Sequence, residues 1–115
     1  MDEEIFLKDD LNSFINSIIK FNITNEKEII IHDAISIFKY LYNNNKLHFH
    51  LDSILELSLN FNSNNISLFL IKNIDFKVEK TFYKAARGSN PKIINYIINN
   101  FDFNPDFDNH KMLFL

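Results

Sequence analysis

The chain repeats itself. A shift of 27 residues superposes Leu55 to Phe76 on Phe82 to Phe103 without a gap. Leu55 then meets Phe82, Ile66 meets Ile93, Phe69 meets Tyr96, Leu70 meets Ile97, Ile74 meets Phe101 and Phe76 meets Phe103. One step further back, Leu47 and Phe49 occupy the places of Ile74 and Phe76. Self-similarity at a period of about 20 to 50 residues is the signature of stacked supersecondary units, none of which can bury its apolar face alone.

Each unit reads as two short helices and a turn. Phe82, Ala85 and Ala86 stand at i, i+3 and i+4, one face of a helix from about Thr81 to Gly88, and the small Ala side chains let a second helix approach closely. Gly88, Ser89, Asn90 and Pro91 form the turn, because Gly suits a helix end and Pro the first turn of the next helix. That next helix carries Ile93, Ile94, Tyr96, Ile97 and Ile98, is apolar nearly all round, and should be the buried member of the pair. Asn99 and Asn100 end it. The alternation from Phe101 to Phe107 predicts an extended connector. Upstream, Leu11, Phe14, Ile15, Ile18 and Ile19 predict a helix over Lys8 to Phe21, with Asp9 or Asp10 as its cap. A polar stretch, Asn22 to Lys27, separates it from a helix marked by Ile35, Phe38, Leu41 and Tyr42 that ends at Asn43 to Asn45. The expected architecture is all-α: a short α-solenoid of about three helix-turn-helix repeats with degenerate end caps. Residues 1–115 make a single domain, with an atypical N-terminal cap and first repeat over 1–49, repeats over 50–76 and 77–103, and a partial C-terminal repeat over 104–115. Phe82, Ala85, Ile93, Ile97, Leu55, Ile66 and Leu70 are the expected core.

Composition supports a packed chain rather than an unfolded one. There are 18 Asn among 115 residues, a bias that can signal disorder, but 46% of residues are hydrophobic and the Asn alternate with Ile, Leu and Phe at helical spacing. Codons for Asn, Ile, Lys and Phe are rich in A and T, so an AT-rich genome accounts for the bias. With no cysteine, disulfides, thiol nucleophiles and cysteine-based zinc sites are excluded, as suits a reducing compartment. No apolar run approaches the roughly 18 residues that a bilayer span needs, and the start "MDEEIFLKDD" is acidic where a secretory signal is basic. These features point to the cytoplasm.

"FYKAARGSNPKIINYII" (Phe82 to Ile98) resembles the two-helix portion of an ankyrin repeat. Phe82 falls on the apolar position that opens the motif, Ala85 and Ala86 on its Ala pair, Ile93 and Ile94 on Ile-Val, and Tyr96 and Ile97 on the Leu pair. Leu55 to Ile71 match less fully. The Thr-Pro-Leu-His tetrapeptide is missing, Lys80 to Tyr83 standing in its place; Ser89-Asn90 replaces the usual Gly-His; and the period is 27 rather than about 33. The missing residues are those of the β-hairpin. The resemblance implies a short, divergent ankyrin-like array of the kind found in proteins of protists and large DNA viruses. It further implies a non-catalytic protein–protein interaction module, a scaffold or adaptor or a host-interaction protein, with another protein as its partner. No cofactor, metal, membrane or small-molecule substrate is implied. In the family the first helices and connector tips line the binding surface, which places Glu79, Tyr83 and Arg87 there, with Asp52, Glu56 and Asn60 one unit earlier. Spacing agrees, for 79, 83 and 87 are four apart and lie opposite the Phe82, Ala85, Ala86 face. Tyr83 has a second reading, as a ring that packs on the next unit.

Two other function classes have some footing in the residues. His48 and His50 in "KLHFHL" could put two imidazoles on one face of an extended segment, and with an acid they would serve a small enzyme or toxin; two ligands do not make a zinc site, and a solvated loop face is the simpler reading. Acid pairs Glu3-Glu4 and Asp9-Asp10 suit helix starts better than acid–base chemistry. Phosphate-loop, dinucleotide and nucleophile-elbow motifs are absent, and one glycine cannot build a phosphate cradle. From Lys77 to Lys92 five basic residues face only Glu79, a net of +4 that could contact phosphates, yet the chain as a whole carries −3, which argues against nucleic acid as the main ligand.

Overall fold

A computed structural model describes residues 1–103, so the expectations for 104–115, the partial repeat and the last Phe residues of the connector, lie outside the described residues. Among the described residues there are eight α-helices and no strand. They are α1 (Glu3–Leu7), α2 (Leu11–Asn16), α3 (Ile23–Ile31), α4 (Ile35–Asn43), α5 (Leu51–Asn60), α6 (Asn64–Asn73), α7 (Val78–Arg87) and α8 (Pro91–Asn100). Consecutive helices pair, α1 with α2 through α7 with α8. Each first helix also packs on the next first helix (α1, α3, α5, α7), and each second helix on the next second helix (α2, α4, α6, α8). The 27-residue period is the distance from Leu51 to Val78 and from Asn64 to Pro91, the starts of α5 and α7 and of α6 and α8.

The N-terminal part differs from the sequence reading, with two helix pairs over 1–49 in place of one pair and a cap. The expected Lys8–Phe21 helix is α2 alone, and Ile18–Lys20 form a short 3-10 turn after it. Residues 3–7 form a separate helix because Asp9 takes the left-handed conformation, φ 49°, and turns the chain. The polar stretch 22–27 lies largely inside α3, started by a capping box in which Asn22 and Asn25 each accept the other's backbone N–H. Asp33, φ 53°, then breaks the apolar run between α3 and α4. Asn62 and Ser89 hold the same backbone conformation in the turns of the last two pairs. The single glycine does not take that role, since Gly88 has a negative φ and Ser89 carries the positive one.

The units are tied together through helix ends. Ala34, at the N-cap of α4, has no side-chain acceptor, and Ser63, at the N-cap of α6, makes no cap bond. Both jobs are done from the preceding unit. The Asp9 carboxylate accepts the N–H groups of Ser36 (2.8 Å) and Ile37 (3.0 Å), and the Asp33 carboxylate those of Asn65 (3.1 Å) and Ile66 (2.9 Å). Ser63 Oγ meanwhile donates back to the Ile30 carbonyl. At the other ends of α4, α6 and α8 the same device recurs: Asn44, Asn73 and Asn100 donate their side-chain amides to the carbonyls of Tyr40, Phe69 and Tyr96, at 2.7, 2.7 and 2.9 Å. Lys39 lies over the Phe69 ring and Lys72 over Tyr96, each reaching one unit forward.

The core runs continuously between the two helix rows. All seven expected residues are in it: Phe82, Ala85, Ile93, Ile97, Leu55, Ile66 and Leu70 are each at most 4% exposed. Phe14, Ile29, Ile30, Ile37, Phe38 and Leu41 extend it into the N-terminal pairs. Burying such a side chain contributes roughly 1.5–3 kcal/mol. No helix among the described residues is long and apolar enough to cross a membrane.

Candidate functional site

Helix α5 presents one polar stripe. Ile54, Leu55, Ser58 and Leu59 are buried, and the side opposite leaves Asp52, Glu56 and Asn60 exposed at i, i+4 and i+8, as the spacing predicts. Helix α7 differs. Its buried arc is wider, taking in Thr81, Phe82, Tyr83, Ala85 and Ala86, and its open stripe is Lys80, Lys84 and Arg87. Of the three expected residues on α7, Glu79 and Arg87 are exposed and Tyr83 is not. Its ring is 7% exposed and meets Phe82 edge-on at 5.3 Å and Phe103 at 6.4 Å. Tyr83 stands 27 residues after Glu56, in the equivalent position of the next first helix; Glu56 reaches Lys84 of α7, whereas Tyr83 is covered by Phe103 after α8. Of its two readings, packing is the one the geometry gives.

Between α5 and α7 lies a groove of about 370 Å³, half open to solvent. Leu55, Leu59 and Phe76 line it with apolar surface. Carboxylates come from Asp52 and Glu56 of α5 and from Asp75 of the connector, and ammonium groups from Lys77, Lys80 and Lys84 along the start and outer side of α7. Lys84 Nζ and Glu56 Oε1 pair across it at 3.6 Å, partly in water. Two of the six expected surface residues, Asp52 and Glu56, therefore share one concavity with three lysines of the basic run Lys77 to Lys92. Asn60, Glu79 and Arg87 do not line it. The signal that finds the lysines is the buried arc of α7: once Thr81 and Tyr83 are inside, 80 and 84 are what remains outside.

The imidazoles are placed differently from a metal pair. His48 Nδ1 lies 2.8 Å from Oε2 of Glu26, a carboxylate with no exposed surface that also accepts the backbone N–H groups of His48 (2.7 Å) and Phe49 (3.0 Å). That bond set anchors the α4–α5 connector to α3. His50 is exposed at the N-cap of α5 and makes no cap bond there. His48 is thus more than a solvated loop residue. Among the described residues the one group of three possible metal ligands is elsewhere, where His32 Nε2 stands 3.1 Å from Glu3 Oε1 and 3.3 Å from Glu28 Oε2 and links α1 to α3. Of the paired acids, Asp10 caps α2, and hydrogen bonds from the Ser13 hydroxyl (2.7 Å) and then the Ser13 N–H (3.1 Å) hold its carboxyl below its ordinary value of 3.8.

Comparison of the chain with protein-family models, with curated proteins and with solved structures finds no match.

Proposed function

We propose that the protein is a short α-solenoid of ankyrin-like repeats and that it works as a non-catalytic protein-interaction module of the cytoplasm, an adaptor or host-interaction protein. The observation that carries the reading is the groove between α5 and α7, a mostly apolar concavity rimmed by charge on the outer side of two first helices. The order of helix contacts and the shared 27-residue offset of α5/α6 and α7/α8 are what a stack of equivalent units would give. Repeats of this kind hold their buried residues constant in role while the exposed stripe is open to recognition.

Affinity capture from the native cell, with the parent and with Asp52→Ala/Glu56→Ala/Arg87→Ala, tests it. A protein retained by the parent and lost by the variant, at equal melting temperature, is the expected result. Retention that the triple variant leaves unchanged, or a cellular activity lost specifically in His50→Ala, would overturn the reading, the latter in favour of a His-based enzyme.

A further inference from the structure

Resting on the reading of this face as a partner-binding one, we propose that the α5–α7 groove receives an extended segment of a partner protein in which an apolar side chain lies between a basic and an acidic residue. The argument is one of charge and shape. The Lys84–Glu56 pair satisfies one charge from each wall. Asp52 on α5 and Lys80 on α7, with Asp75 and Lys77 on the connector that leads into α7, have no ion pair among the described residues, so the rim keeps unpaired charge of both signs around an apolar floor. A polyanion such as nucleic acid would meet two unpaired lysines and two unpaired carboxylates in the same groove, and so would a polycation. A segment carrying both signs is matched on both walls, and its apolar side chain covers Leu55, Leu59 and Phe76. The volume of about 370 Å³ suits one or two side chains rather than a folded element. Asp52 and Glu56 on α5 and Lys77 and Lys80 at the start of α7 are all exposed, so the groove opens to solvent along both helices, which favours a peptide over a free zwitterion of the same chemistry.

The test uses the full chain and an array of synthetic peptides about a dozen residues long, with charge order and apolar position varied. Asp52 and Lys80 are both exposed, so Lys80→Glu should melt with the parent and Asp52→Lys, which puts a cation in the first turn of α5, within a few degrees of it, which is checked first. The parent should retain peptides with an apolar residue between opposite charges. Each single charge reversal should weaken them by about tenfold or more, and the double reversal should select peptides with the charge order inverted. Retention of peptides without that pattern, or retention indifferent to both reversals, overturns the groove inference and leaves the interaction-module reading standing. Binding of the free amino acids leucine or phenylalanine at the affinity of the peptides also overturns it. If the array retains nothing, the inference falls and whole-protein capture decides the broader reading separately. Capture of a single-stranded oligonucleotide with steep salt dependence, lost in Lys80→Glu, would overturn both.

Discussion

Removing the Asp33 carboxylate should loosen the joint between the second and third helix pairs. Asp33 satisfies two of the four N–H groups that a helix leaves unpaired at its start, those of Asn65 and Ile66. The Asn65 amide is exposed and water can replace its partner, whereas that of Ile66 is half-buried and pays most of the loss. Ser63, whose hydroxyl donates to the buried Ile30 carbonyl, makes no cap bond of its own. Gly is the informative replacement, because it accepts the φ of 53° without strain, and its larger unfolded-state entropy roughly offsets that relief. What remains is the cap, about 1–2 kcal/mol. For a chain of this size that lowers the melting temperature by about 4–10 °C. Asp33→Asn keeps one acceptor and the tolerance of a positive φ, so it should lose roughly half as much. Thermal melts read the total, and amide hydrogen exchange at Asn65 and Ile66 reads the place. A Gly variant melting within a degree of the parent, with those amides still protected, would refute the claim that caps are passed from unit to unit.

Ala85 has no exposed surface, so Ala85→Asp puts an unpaired charge into the core and should cost several kcal/mol, about 3–5; a melt within a degree or two of the parent would contradict the face assigned to α7. Glu26→Gln turns an amide NH₂ towards at least one of the three N–H donors the carboxylate now accepts, and a urea titration should show a loss of about 1–3 kcal/mol with unchanged m. Asp10 has a depressed pKa in the folded state, so its contribution is full above the ordinary carboxylate value and is lost as pH falls through the folded value. Asp10→Asn should accordingly melt below the parent at neutral pH and with it in strong acid, as melts taken from neutrality down to about pH 2 would show.

The apolar positions and the 27-residue offset marked out α5 to α8, because these helices bury residues at helical spacing and α5, α6 and α8 end in Asn, but the expected order of burial is reversed: α7 buries five residues and α8 only Ile93 and Ile97. The N-terminal half was harder to read for a local reason: its breaks are made by Asp9 and Asp33, residues that resemble ordinary helix caps in sequence but stand one position before the N-cap and act on a helix about 30 residues later. Ala34 in an N-cap position is the trace this leaves, a helix start without its own acceptor. Of the 18 Asn, Asn44, Asn73 and Asn100 close the ends of α4, α6 and α8. On the candidate face, Asp52 and Glu56 followed from α5 alone. Tyr83 was ambiguous because its place depends on Phe103, twenty residues away and on no helix. Glu26 gave no sign in the sequence, since a buried carboxylate is recognised only by the N–H groups that surround it.

The most direct measurement of the central claim is to titrate ¹⁵N-labelled chain with the protein that affinity capture retains and to follow the amide resonances. The account predicts shifts concentrated on α5, the connector at 75–77 and the outer side of α7, with Asp52, Glu56, Lys80 and Lys84 among the most affected. Shifts confined to α4, α6 and α8, with the groove residues unmoved, would contradict it.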